Sequence, residues 1–340
     1  MKLLITGGAG FLGSNLADFF IAQGAQLIVY DNLSRRGTVR NLDWLRRRHG
    51  NGFKLVEADV RDFGRLSEAA AGVEVIFHLA AQVAVTTSVT DPREDFEVNA
   101  LGTFNVLEAA RQSGLNPLLV FTSTNKVYGG LENVAVEEHP TAYGFRDLPH
   151  GIGEDRPLDF HSPYGCSKGA ADQYVRDYSR IYGLPTVVFR MSCIYGPRQF
   201  GSEDQGWLAH FVISACLGRP ITIYGDGKQV RDVLFVDDLV RAFELAAARP
   251  DRSAGQVYNL GGGAGNALAV WAVFGPMLQG LLGREIPVEY RDWRPGDQRI
   301  YVSDIRKASQ HLSWDPKIGK EEGIARLVRW VQDNREQFSL

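Results

Sequence analysis

Lys2-Leu3-Leu4-Ile5-Thr6-Gly7-Gly8-Ala9-Gly10-Phe11-Leu12-Gly13 decides how the rest of the chain is read. Five residues rich in apolar side chains, the length of a buried strand, break directly into a glycine-rich turn. A glycine at position 7 or 8 permits the tight strand-to-helix turn. Gly10 lets backbone approach a pyrophosphate, and Gly13 lets the following helix pack close to the strand. A helix over roughly Phe11 to Gln23 would aim its free N–H groups at the phosphates, with Phe11 and Leu12 in its first turn.

Gly24 closes that helix, and Ala25 to Tyr30 follows as a second strand ending on Asp31. A carboxylate there is placed to grip the adenine ribose hydroxyls. It would repel a 2′-phosphate, which favours NAD over NADP, although Arg35 and Arg36 just beyond could pair with such a phosphate. Asn32, Ser34 and Arg35 join this cofactor-binding set.

Working outward, apolar runs recur at strand length. Phe53 to Ala58 leads to Asp59 and Val60, placed near the adenine. Val73 to His78 exits through Leu79-Ala80-Ala81-Gln82, small enough to lie flat against the nicotinamide half. His78 reads as a strand-end histidine rather than a catalyst. Asp91 to Ser113 predicts a long helix with more apolar surface than one face needs, hence a subunit contact. Pro117 to Phe121 delivers Thr122-Ser123-Thr124-Asn125-Lys126-Val127-Tyr128-Gly129 to its C-terminal end, where ligands bind in open α/β sheets. Pro185 to Arg190 is a sixth strand, followed by Met191.

Alternation of strand and helix predicts an α/β fold, a doubly wound parallel Rossmann sheet over 1–195. Residues 129–160 form a polar substrate-side insertion or lid. From 196 to 340 the alternation loosens into a smaller mixed α/β substrate lobe, with helices near Trp207 to Leu217, Val236 to Ala248, Ala267 to Leu282 and Glu321 to Asp333, and some chain crossing back.

Composition narrows the classes. Of 340 residues, 44% are hydrophobic and 23% charged, which is ordinary for a soluble globular protein. A net charge of −3 supports no nucleic-acid or membrane partner. No leader or membrane-length apolar run is visible, and Cys166, Cys193 and Cys216 have neither paired nor metal-like spacing, which points to a cytoplasmic protein without a metal.

The chemistry is expected at Thr124, Tyr164 and Lys168. Ser162-Pro163 starts a helix that puts Tyr164 and Lys168 on one face at i, i+4. A phenol with an ordinary pKa near 10 is a poor base near neutrality. A lysine ammonium one turn away, with the positive nicotinamide, would lower that value. Tyr224-Gly225-Asp226-Gly227-Lys228 has the same spacing, but in a glycine-rich turn that forms no helical face.

These motifs, with Asp31-Asn32, Asp59 and the late Arg231-Asp232, resemble the extended short-chain dehydrogenase/reductase family of nucleotide-sugar epimerases and dehydratases. The resemblance implies tightly held NAD, cofactor contacts that include Asn99, Thr122 and Met191, and a dimer or tetramer built on helices near 91–113 and 164–182. Dehydratases of the family usually carry an acid pair after the threonine; here Asn125 and Lys126 stand there. The stretches Ser123 to Gly129, His161 to Tyr174 and Gly227 to Leu234 resemble the branch acting at C2 of CDP-hexoses. Gln82, Thr124, Asn125, Lys126, Arg198, Gln199, Tyr224, Arg231, Arg294 and Asp297 would line the nucleotide-sugar site. Met191-Ser192-Cys193 departs from the asparagine usual in 4-epimerases. A C2 epimerase of another nucleotide hexose, a UDP-sugar 4-epimerase and a catalytically silent NAD-binding regulator are the alternatives.

Overall fold

The computed structural model describes residues 1–294 and 297–338. Its first part runs β1 (Lys2–Thr6), α1 (Phe11–Ala22), β2 (Gln26–Asp31), α2 (Thr38–His49), β3 (Phe53–Glu57), α3 (Phe63–Ala70), β4 (Val75–His78), α4 (Val85–Thr90), α5 (Pro92–Phe96), α6 (Gly102–Gln112) and β5 (Leu118–Thr124). A hairpin of β6 (Val136–Glu138) and β7 (Tyr143–Phe145) follows, then α7 (Ser162–Tyr182), β8 (Thr186–Met191) and β9 (Cys193–Tyr195). The remainder is α8 (Trp207–Leu217), β10 (Ile221–Tyr224), β11 (Val230–Phe235), α9 (Val236–Ala248), α10 (Pro250–Ser253), β12 (Gln256–Leu260), β13 (Ala267–Ala269), α11 (Phe274–Leu282), β14 (Val288–Arg291), β15 (Ile300–Tyr301), α12 (Arg306–Leu312) and α13 (Lys320–Asp333).

Seven strands form the main sheet in the order β12-β8-β5-β4-β1-β2-β3. Every neighbouring pair in it is parallel. A parallel sheet needs cover on both faces, which is why its central strands carry unbroken apolar runs rather than alternating, and β4 and β5 are buried along their whole length. One face packs on α1, α2 and α9 through Leu16, Phe20, Leu45 and Phe243; the other packs on α3, α6 and α7 through Leu66, Val106 and Val175.

The last strand, β12, comes from beyond residue 195, so the chain crosses back from the second lobe to finish the first. The smaller lobe has its own core around Tyr195, Phe211, Phe235, Trp271 and Phe274.

One expectation needs correction. The apolar segment from Ala267 to Leu282 is not one helix: Ala267–Ala269 pairs antiparallel with β11, and the helix begins only at Phe274. Residues 129–160 are the stretch expected as a substrate-side insertion or lid. Tyr143 N donates to Lys228 O at 3.1 Å and Ile152 N to Val302 O at 2.8 Å, so the insertion is stitched to the smaller lobe.

The helical segment after Asp91 is also more articulated than periodicity suggests. Asp91 caps α5, accepting from Glu94 N, and a π-helical turn over Glu97–Leu101 joins α5 to α6. That wide turn brings Asp95 and Asn99 together, with Asn99 Nδ2 donating to Asp95 Oδ1 at 3.1 Å.

Candidate active site

The C-terminal ends of β1, β2, β4 and β5 open into a cavity of about 510 Å³ that runs from Asp31 and Asp59 to Thr124 and Tyr164. Gly7 and Gly13 shape its floor. Gly7 has φ +70° and sits so near the turn after β4 that a Cβ would lie 2.8 Å from Ala80 N. A Cβ on Gly13 would lie 2.1 Å from Gly7 O. No side chain caps α1, whose first residues Phe11, Leu12 and Gly13 line the cavity, so the unpaired N–H groups of that turn are left for an anion.

Asp31 ends β2 and is 7% exposed, with Oδ2 accepting from Ala9 N and Oδ1 from Leu33 N. Burial raises its carboxyl pKa, and those backbone bonds oppose the rise. Asp59 accepts from Arg61 and from Asn32 Nδ2 and is held down to about 2, chiefly by Arg61. Ser34, Arg35, Val60, Leu79, Ala80, Ala81, Gln82 and Met191 line the same cavity. This set fits a dinucleotide: a glycine floor with an open helix N-terminus at its centre and a carboxylate at one end.

At the other end, Thr124 closes β5 and caps the turn Asn125–Tyr128, accepting from Lys126 N at 3.2 Å. Tyr164, near the start of α7, lines the cavity together with Thr124 and lies close enough for the two side chains to interact. Burial pushes the Tyr164 phenol up to about 12, opposed by the neighbouring Thr124 side chain and by the positive Arg35. Lys168 lies beneath, 3% exposed, with Nζ donating to Thr122 O at 2.6 Å and 4.2 Å from the Phe121 ring centre. Burial pulls its ammonium down to about 7. His78 is fully buried between Thr6 Oγ1 and Thr103 Oγ1 and is kept neutral, pulled down to about 3 by burial.

The remaining candidate residues separate into groups. Thr122 and Asn99 support the site from below: Thr122 Oγ1 donates to His78 O, and Asn99 Nδ2 donates to Gln82 O, Asp95 and Ser167. Asn99 therefore fixes the Gln82 loop rather than lining the cavity. Asn125 is buried beside Thr124, accepting from its hydroxyl at 3.3 Å.

On the sugar side, Arg231 pairs with Asp297 at 2.8 Å, and Lys126 Nζ donates to Gln298 Oε1 at 3.4 Å. Cys193 lines the cavity within range of the Arg231 and Lys126 charges. Farther out, Arg294 stacks on Tyr224 with 4.0 Å from guanidinium carbon to ring centre, and both reach Glu203. Pro295 and Gly296 lie outside the described residues. Gln199 lines the cavity.

Arg198 lines the cavity as well. Its guanidinium lies 3.6 Å from the Trp44 ring centre and donates to Asn15 Oδ1, packing under the first two helices. Sequence reading also missed Gln298, which is 3% exposed and ties Lys126 to Gly129 O, and Asp95, which is fully buried and accepts from Gln82, Asn99 and Ser167. Asp95 stands four residues before Asn99, between acidic neighbours, and no sequence signal separates it from a solvated helix charge. Among the described residues no cluster of His, Cys, Asp and Glu could hold a metal, and no helix is long and apolar enough to cross a membrane.

A family model described as GDP-mannose 4,6 dehydratase matches residues 4–327. The chain is 46% identical to the CDP-paratose 2-epimerase of Salmonella typhi, over 97% of this chain and 99% of that protein. The UDP-glucose 4-epimerase of Thermotoga maritima, solved with UDP-glucose, is 32% identical with a TM-score of 0.85, covering 98% of this chain and 100% of that one. The UDP-glucose 4-epimerase of Thermus thermophilus, solved with NAD, is 33% identical with a TM-score of 0.80, covering 97% and 98%. Rossmann sheet, glycine floor and full-length match agree: the chain belongs to the GDP-mannose 4,6-dehydratase family, the NAD-dependent nucleotide-sugar epimerases and dehydratases of the extended short-chain dehydrogenase/reductase group.

Proposed function

We propose that this protein is an NAD-dependent nucleotide-sugar 2-epimerase that inverts C2 of a CDP-hexose, converting CDP-paratose to CDP-tyvelose. The observation that carries the reading is that Tyr164 and Thr124 line the dinucleotide cavity together, with Asn125 and Lys126 after the threonine instead of an acid pair. Eliminating water from a sugar needs a general acid and a base beside the ring; an amide and an ammonium do not supply them. The identity to a CDP-paratose 2-epimerase supports the choice of carbon and nucleotide.

Bound NAD supplies an acceptor that takes hydride from the sugar carbon and returns it. Thr124 holds the substrate oxygen by its hydroxyl, and Tyr164 takes the C2 hydroxyl proton. Lys168, fixed to the Thr122 carbonyl, favours the phenolate by its charge. The 2-keto sugar then presents its other face, and Tyr164 returns the proton. Lys126 and Asn125 hold ring hydroxyls, while Arg231 and Arg294 take the diphosphate, for which a guanidinium fork is suited.

Assembly through the helix pair is part of the same proposal. Phe96, Leu101 and Phe104 on the α5–α6 segment and Tyr174, Ile181 and Tyr182 on α7 are large, apolar and exposed, and Phe104 stacks edge-on against Tyr174. Two copies burying this face form a homodimer, or half of a homotetramer, in the cytoplasm.

The test is proton NMR of CDP-paratose with the enzyme in deuterated buffer. Inversion at C2 with hydrogen retained there is the expected result. Inversion with deuterium at C2 overturns the hydride route, and inversion at C4 of a UDP-hexose alone overturns the choice of carbon.

A further inference from the structure

Two carboxylates are fully buried near Lys168, and their partners differ. Asp172, one turn farther along α7, is held by Arg190 through both of its oxygens at 2.9 Å and accepts from Ser123 Oγ at 2.7 Å. Its charge is paired, although it still acts on Lys168. Among the described residues, Asp95 accepts only from neutral donors: Gln82 Nε2 at 3.0 Å, Asn99 Nδ2 at 3.1 Å and Ser167 Oγ at 2.5 Å. Among the described residues, Lys168 in turn touches a carbonyl and an aromatic face but no carboxylate. An anion and a cation, each buried without a contact partner of opposite sign, thus lie on either side of the same helical turn. Ser167, which holds Asp95, immediately precedes Lys168.

We propose that Asp95 is the counter-charge of Lys168 and a positioning residue that sets the proton affinity of the Lys168–Tyr164 pair. Inside a protein, charges act over longer distances than in water, so direct contact is unnecessary. The other charged or titratable groups facing the pair are accounted for. His78 on β4 is neutral, Asp172 is paired with Arg190, and Arg35 reaches Tyr164 from the loop after β2. Asp172 and then Asp95 raise the proton affinity of Lys168, and of these two carboxylates Asp95 is the one that also raises that of Tyr164. Through Gln82, which lines the cavity, the same carboxylate also braces the loop beside the cofactor.

This inference rests on Tyr164 being the proton acceptor. The experiment is the pH dependence of kcat/KM for CDP-paratose epimerisation by Asp95→Asn, Asp95→Glu and Ser167→Ala, with Tyr164→Phe as control. Removing a negative charge makes nearby groups lose protons more easily, so Asp95→Asn moves the acid limb to lower pH, by about one unit for a charge at this range. Asp95→Glu returns it toward the parent position. If Asp95→Asn does not fold, Ser167→Ala serves: Asp95 loses its shortest donor and takes up a proton at higher pH, giving a smaller shift in the same direction. A reduced plateau with an unmoved limb, or a limb displaced to higher pH, overturns the counter-charge role alone. Full activity in Tyr164→Phe overturns both the role and the reading beneath it.

Discussion

Lys168 Nζ donates to the carbonyl oxygen of Thr122 at 2.6 Å, two residues before Thr124 on the same strand. That bond pins α7, which carries Tyr164, to β5, which carries Thr124, so the lysine acts by position as well as by charge. Lys168→Met keeps most of the volume and loses both. It is expected to lower kcat by about 10²- to 10⁴-fold, the usual worth of positioned proton transfer. Steady-state epimerisation rates check this; a variant within threefold of the parent would leave the proton chemistry to other groups.

The glycine floor yields a prediction about binding. A Cβ on Gly13 meets the backbone of Gly7 and Gly8, at 2.1 Å from Gly7 O and 2.6 Å from Gly8 Cα, and backbone cannot swing aside as a flexible side chain can. Gly13→Ala should therefore displace the phosphate loop, at a cost of about 1–3 kcal/mol typical of overpacking, while the sheet stays folded. Calorimetric titration with NAD should show affinity reduced at least tenfold, with a circular dichroism spectrum like that of the parent. Unchanged affinity would mean the pyrophosphate lies elsewhere.

Much of this architecture can be read from local sequence because it is locally determined. The ends of β1, β2 and α9, the glycine floor and the Tyr164–Lys168 face follow from apolar run length, glycine punctuation and helical spacing. What could not be read depends on partners far along the chain. Gln256–Leu260 is a strand because β8 offers it a parallel edge, and Ala267–Ala269 is a strand because β11 pairs with it. Val136–Glu138 is exposed throughout and has no buried face to reveal it. Gln298 and Asp95 resemble surface residues in sequence; only the packing of two lobes and a π turn takes them out of water.

Lys126 gives the substrate step a pH dependence of its own. Burial first, then the neighbouring Arg231, pulls its ammonium down to about 8, while Asp297 opposes the fall. The side chain is charged below that pH and loses its charge above it, so its hold on substrate weakens as pH rises through 8. KM for the nucleotide sugar should increase about tenfold between pH 7 and pH 9, the worth of a charge-assisted hydrogen bond. Lys126→Met should show the high KM at every pH. A flat profile in the parent enzyme would remove Lys126 from the sugar site.

The Arg190–Asp172 pair supports the strand end that carries Thr124. Arg190 is 2% exposed and chelates Asp172 with two bonds of 2.9 Å, while its third nitrogen donates to Tyr128 Oη, which donates to Asn259 Oδ1. Asp172 in turn accepts from Ser123 Oγ. Removing one partner strands the other charge in the core, so Arg190→Met should cost about 3–5 kcal/mol in urea unfolding. The double variant Arg190→Met, Asp172→Leu leaves no buried charge and should recover a large share of that loss, because two ions no longer need to be taken out of water. Ser123 Oγ and Tyr128 Oη still lose partners in the double variant, and these sit on either side of Thr124 and Lys126. Stability should therefore recover further than kcat does. Parallel recovery of both would assign the network to the fold alone.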